Sequence, residues 1–182
     1  MTLSVITNFL DTGPSILEML LRIFLTAIFV GVIGVNRQLR HKIAGVTTHL
    51  MVAFGACGIA ILQDVLYLDA LETAKALAEQ GYTYTVEIER QRVIAQVVTG
   101  VGFLGAGAIL KTKFSIFGLT TAATLWLSAM IGLCFGLGAY LLGIILSVVS
   151  ILFLTLFRSF LERTPLKHVE GQGIIGSKKV DE

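Results

Sequence analysis

From Phe114 to Phe157 the chain runs for 44 consecutive residues without an aspartate, glutamate, lysine or arginine. A helix needs about 20 predominantly apolar residues to cross the hydrocarbon core of a bilayer, so this run alone has room for two crossings. Helices are the expected element, because in lipid a helix satisfies its own backbone hydrogen bonds. The whole 182-residue chain agrees, being 55% apolar and only 14% charged, against about 25% charged in ordinary globular domains. The expected class is an all-α integral membrane protein. Cys57 and Cys134 both sit in apolar runs and read as small hydrophobes, with no disulfide or C-x-x-C metal spacing. The first apolar run has no cationic leader and no A-x-A site, so it reads as a retained span.

Hydropathy places five spans, at about residues 17–35, 44–62, 93–110, 119–136 and 139–157. The last two are joined by a tight Gly136-Leu137-Gly138 hairpin. Lysine and arginine collect on the cytoplasmic side of a membrane. The first connection holds Arg37, Arg40 and Lys42, the third holds Lys111 and Lys113, and the tail opens with Arg158, Arg163 and Lys167. The outer loop, residues 63–92, has six acids against three bases. The N-terminus is therefore expected outside and the C-terminus in the cytoplasm. Residues 1–158 form the membrane domain and 159–182 a short polar tail. Within the outer loop, "DALETAKALAEQ" favours a short helix and "YTYTVEIE" alternates with period two, like a strand.

The segment "TGVGFLGAG" matches G-x-G-x-x-G at Gly100, Gly102 and Gly105, with Gly107 following. A dinucleotide loop needs a preceding strand and an acid about 20 residues later. Here the glycines lie inside an apolar run, and no acid occurs between Glu89 and Glu162. The expectation is instead close helix packing, since small residues let helices approach in lipid, with a kinked third span whose loosened backbone lines a cavity as the alternative. Gly31 and Gly34 on the first span and Gly132 on the fourth suit the same purpose. Trp126, mid-span, is expected in the bundle core.

Ionisable groups inside a span are costly and point to function. Glu18 and Arg22, four apart near the outer end of the first span, can pair at the interface. On the inner side Asn36, Arg37, Arg40, Thr48, His49, Thr120 and Thr121 converge near one depth, a candidate anion or partner site. Arg92, Gln96 and Thr99 form a smaller outer polar cluster. No carboxylate pair, H-E-x-x-H or nucleophile–histidine spacing supports catalysis. No cofactor, metal site or nucleic-acid partner is expected.

The stretches "NRQLRHKIAGVTTHL", "RVIAQVVTGVGFLGAGAIL" and "GLTTAATLW" resemble the MgtC/SapB family of bacterial membrane proteins, across roughly residues 16–138. The resemblance implies five spans with the C-terminus inside, an inner-membrane location, and a role in magnesium homeostasis and survival under magnesium limitation, often in bacteria living inside host cells. Its motif falls on Arg37, Arg40, Gly45, His49, Arg92, Gln96, Gly100, Gly102, Gly105, Gly107, Thr120 and Thr121. The chain departs from it at Asn36, where many members have Glu, and at Thr47 and Phe117, where many have Arg. An aspartate-proline pair ahead of the third span is absent, and the tail is too short for the soluble domain of many members. Three functions follow as expectations. The leading one is an accessory protein acting on another membrane complex, with an ATPase or transporter the class suggested. The others are a Mg²⁺ transporter or channel, and a binder of anions or lipid headgroups at the cytoplasmic face. Membrane lipid is an expected partner in every case, and the chain could also self-associate.

Overall fold

The computed structural model describes residues 13–81, 90–113 and 115–157. The "YTYTVEIE" stretch and the tail beyond residue 158 lie outside the described residues. Helix α1 (Ile16–Leu39) starts at Ser15, whose side chain accepts the Glu18 N–H at 3.2 Å, with Glu18 in the first turn where its charge suits the helix dipole. It closes with paired bonds from His41 N–H to the Gln38 carbonyl and from Lys42 N–H to the Arg37 carbonyl. His41 takes the left-handed conformation (φ 50°) that such a terminus requires and that glycine usually supplies.

Helix α2 (Val46–Glu79) begins where the Gln38 side chain accepts the Val46 N–H at 3.2 Å. Its 34 residues span about 51 Å, some 20 Å more than a hydrocarbon core. The sequence places a span end near Leu62 and a separate short helix beyond it. The structure carries the second helix through without a break. The physical reason is that neither glycine nor proline occurs from Gln63 to Gln80, and the composition favours helix throughout. The helix stops beside Gly81, at φ 84°.

Helix α3 (Arg90–Gly107) leads into a two-stranded antiparallel ribbon, β1 (Leu110–Lys111) and β2 (Ile116–Phe117), with Leu110 opposite Phe117. Gly118 caps α4 (Leu119–Gly136) at φ 88°, and a Cβ there would also run into the Ala108 carbonyl. Helix α5 (Tyr140–Leu152) continues into a π-helical turn over Phe153–Phe157. Among the described residues, then, the chain is mostly helical with five helices. Helices α1, α2 and α4 are long and apolar enough to cross a membrane, and Tyr140–Leu156 is a shorter apolar helix.

Helix α4 is the centre of the bundle, packed against each of the other four. Val30, Ile33, Ala53, Ile131 and Phe135 form one core cluster, with Phe29 stacked on Phe135 at 5.4 Å between ring centroids. Ala56, Ala60, Ala129 and Leu133 form a second. Trp126 is 39% exposed and faces out of the bundle rather than into its core. Its neighbours Leu125, Ala129 and Ser128 occupy the inward face, and an indole does not fit where α2 and α4 meet so closely.

The glycines divide sharply. A Cβ at Gly132 would collide with the Ala53 backbone, one at Gly136 would meet the Cys57 carbonyl at 2.6 Å, and one at Gly34 would meet the Val46 Cα at 2.7 Å. Gly105 rests in ordinary contact with Ala122. Among the described residues, Gly31, Gly100, Gly102 and Gly107 have no neighbour within 4 Å of where a Cβ would stand. Gly132→Leu is therefore expected to destabilise the bundle by about 3 kcal/mol, through overpacking against backbone that cannot yield. Gly102→Leu should leave the thermal midpoint in detergent unchanged or slightly raised, since leucine is the better helix former. Melting curves of the two variants check the contrast.

Candidate functional site

Two buried polar seams cross the bundle, one near each end. The inner seam starts at Arg37 in the last turn of α1, which is 2% exposed. Its Nη2 donates to Thr121 Oγ1 at 2.7 Å. One turn into α2, the fully buried His49 sets its Nδ1 2.7 Å from the Gly45 carbonyl and its Nε2 3.1 Å from Thr124 Oγ1. A carbonyl only accepts, so Nδ1 carries a hydrogen, and in the neutral ring Nε2 and the Thr121 carbonyl are alternative acceptors for the single Thr124 hydroxyl hydrogen. The Thr124 hydroxyl also lies 3.0 Å from the Thr121 carbonyl, and Ser128 donates to the Thr124 carbonyl at 2.9 Å. A guanidinium, an imidazole and a file of hydroxyls thus share one buried seam between α1, α2 and α4.

The seam is smaller than the sequence cluster, and partly different. Arg37, His49 and Thr121 come together. Asn36 is half-buried beside Arg37 in sequence, and its Oδ1 is buried with no hydrogen-bond partner among the described residues. Arg40 is the half-buried C-cap of α1. Thr48 and Thr120 are exposed, because each precedes its inward-facing neighbour by one position and so points about 100° away on the helix. Ser128 was missed, although its spacing with Thr121 and Thr124 (three, then four) marks one helical face. Thr124 also belongs to the seam and lies outside the sequence cluster.

The second seam, at the opposite end of the bundle, is built around Arg22, which is 6% exposed. Its Nη2 pairs with Glu18 Oε1 at 2.7 Å and its Nη1 with Asp64 Oδ2 at 2.9 Å. The same Nη1 donates to the Gly136 carbonyl at the end of α4. Tyr140 of α5 donates its hydroxyl to Glu18 Oε1 at 3.4 Å. The Glu18–Arg22 pair is thus part of a junction of four helices, with Arg22 buried and Glu18 40% exposed. Gln63 lies next to Asp64, 6% exposed, with both amide atoms unpartnered among the described residues. Sequence reasoning missed Asp64 and Gly136 in this junction, because 42 and 114 residues separate them from Arg22.

Arg92, Gln96 and Thr99 are all exposed on α3. Thr99 donates to the Ala95 carbonyl of its own helix at 2.9 Å. Arg92 and Gln96 stand at one end of a cleft of about 630 Å³ between α2 and α3. Among the described residues no group of three His, Cys, Asp or Glu side chains is placed to hold a metal ion.

Removing Arg22 should cost far more than removing one of its acids. Arg22→Met is expected to destabilise by about 3 kcal/mol, as breaking a buried pair does. Glu18→Gln should cost under about 1 kcal/mol, because that carboxylate is 40% exposed and solvent screens it. Asp64→Asn, at 17% exposure, should fall between them when thermal midpoints are compared in one detergent.

Comparison with known proteins places this architecture. The model of the MgtC family matches residues 23–163. The Escherichia coli (strain K12) protein named "Putative magnesium transporter YhiD" is 41% identical over 140 residues, covering 77% of this chain and 60% of that protein. Protein MgtC of Brucella abortus (strain 2308) is 41% identical over 108 residues, covering 59% of this chain and 38% of its own length. Protein MgtC of Salmonella typhimurium (strain 14028s / SGSC 2262) is 38% identical over 127 residues, covering 70% and 45%. The chain therefore spans between about two-fifths and three-fifths of the length of these relatives. No solved structure matches the chain.

Proposed function

The chain belongs to the MgtC family, and on that premise we propose that it is a multi-pass protein of the bacterial inner membrane that serves magnesium homeostasis by acting on another membrane complex. In this reading all five helices stand in the bilayer, with the N-terminus outside and the C-terminus in the cytoplasm. The excess of lysine and arginine in the first and third connections supports that orientation. The link to magnesium rests on the family and on the name of the Escherichia coli relative.

One observation favours the accessory role over transport. Magnesium seeks oxygen ligands, usually with one or two carboxylates. The two acids in the described part of the helical bundle's second seam, Glu18 and Asp64, are both turned onto Arg22. At the other end the buried positive group is Arg37. A divalent cation crossing this bundle would meet a guanidinium near each end, and buried arginines are a device by which pores exclude cations. The same cationic inner seam suits a contact with an acidic group of a partner complex.

The transporter reading is tested directly with the purified chain in liposomes that enclose a magnesium-sensitive dye. Flux is expected to equal that of empty liposomes, with Arg37→Ala run beside the parent chain. Saturable Mg²⁺ entry that Arg37→Ala abolishes, in protein shown to be folded and inserted, would overturn the accessory role.

A further inference from the structure

The cleft between α2 and α3 has no part in the two polar seams. Val52 of α2 and Val97 and Val101 of α3 line it and pack on the buried cluster of Ala56, Ala60, Ala129 and Leu133. The length of the cleft follows α3 from Arg92 to Leu104, about 18 Å at 1.5 Å per residue. A groove of this length with apolar walls is long enough to seat an alkyl chain alongside α3.

Two glycines keep this space open. Gly55 and Gly100 both line the cleft, and a Cβ on either would meet nothing within 4 Å. The walls beyond them are apolar and exposed, with Met51 at 59% and Leu104 at 47%. Polar chemistry is confined to one end, where Arg92 and Gln96, four apart, share a face of α3. A guanidinium and a carboxamide on one helix face supply hydrogen-bond donors of the kind a phosphodiester accepts. An apolar groove with a cationic end matches the two parts of a phospholipid.

We infer that the α2–α3 cleft is a binding site for a bilayer phospholipid, with an acyl chain along Gly55 and Gly100 and the headgroup phosphate at Arg92 and Gln96. The inference rests on α3 standing in the bilayer, as the proposed five-span reading has it. It does not depend on the magnesium role.

The test uses the full chain reconstituted with phosphatidylglycerol, extracted into detergent and weighed intact by native mass spectrometry. The parent chain should retain one phosphatidylglycerol. Arg92→Ala should lower retention by about tenfold, the loss that follows removal of a charge-assisted hydrogen bond. Gly100→Leu should abolish it by filling the slot. Gly58→Leu is the control, since Gly58 also has nothing within 4 Å of its Cβ position but does not line the cleft. It should retain lipid like the parent. Equal retention by all four proteins would overturn the inference. So would unchanged retention with a shift in oligomeric state for Gly100→Leu, which would make the cleft a helix-docking surface.

A second measurement separates this from failure of the five-span reading. Trp126 is the chain's one tryptophan, so Gly102→Trp with Trp126→Phe places the only indole on α3. Quenching by acyl-brominated lipid confirms α3 at bilayer depth. With quenching but no selective retention, the cleft assignment alone falls. Without quenching, both fall.

Discussion

The bundle depends on the close approach of α4 to α2. At Gly132 and Gly136 the α4 backbone lies against the backbone of Ala53 and Cys57 with no room for a side chain between them. Water does not drive such contacts in lipid, where tails are as apolar as leucine, so dispersion between closely fitted surfaces must do so. Ala56, Ala60 and Ala129 extend the fit on either side. Because α4 also touches α1, α3 and α5, its position on α2 sets where the other helices can stand. Larger side chains on this face would push α4 outward and part every other contact it makes.

That closeness is what allows the polar seams. His49 reaches Thr124, and Arg37 reaches Thr121, only because α2 and α1 come within side-chain range of the same face of α4. Arg22 reaches the Gly136 carbonyl because α4 ends in a tight turn beside it. That turn is closed by Gly138 at φ 75°, with the Gly138 and Ala139 N–H groups bonded back to Phe135 and Cys134. The seams join helices whose apolar contacts alone would leave their rotation loosely defined, and each satisfies groups that would be expensive to leave bare in hydrocarbon. Helix α3 is the exception. It leans on α4 through Gly105 and Ala122, stands further from α2, and leaves the cleft between them.

Much of this was legible in the chain. The 44-residue uncharged run required a membrane protein. The helices α1 and α4 fall close to where hydropathy puts them. The G-x-G-x-x-G match is part of a helix and not a loop, as the missing acid argued. Legibility ended where a helix left its apolar stretch, as α2 does beyond Leu62, because hydropathy reports solvent preference and says nothing about where a helix stops. It also ended at Thr48 and Thr120. Composition groups them with the seam, but helical phase turns them away from it.

The sequence by itself determined the class of structure, the family, and which residue types would have to find partners. Those follow from local and one-dimensional properties: hydropathy over twenty residues, charge in loops, and motif spacing. Only the tertiary structure decided who the partners are. The junction of Arg22 with Asp64 and Gly136 joins residues 42 and 114 positions apart. The division of the glycines into those pressed against backbone and those facing open space depends on which helix stands beside each face. Periodicity shows that a face is small; it does not show what lies across from it. That choice is made by the packing of whole helices, a property of the assembled bundle and of no single segment.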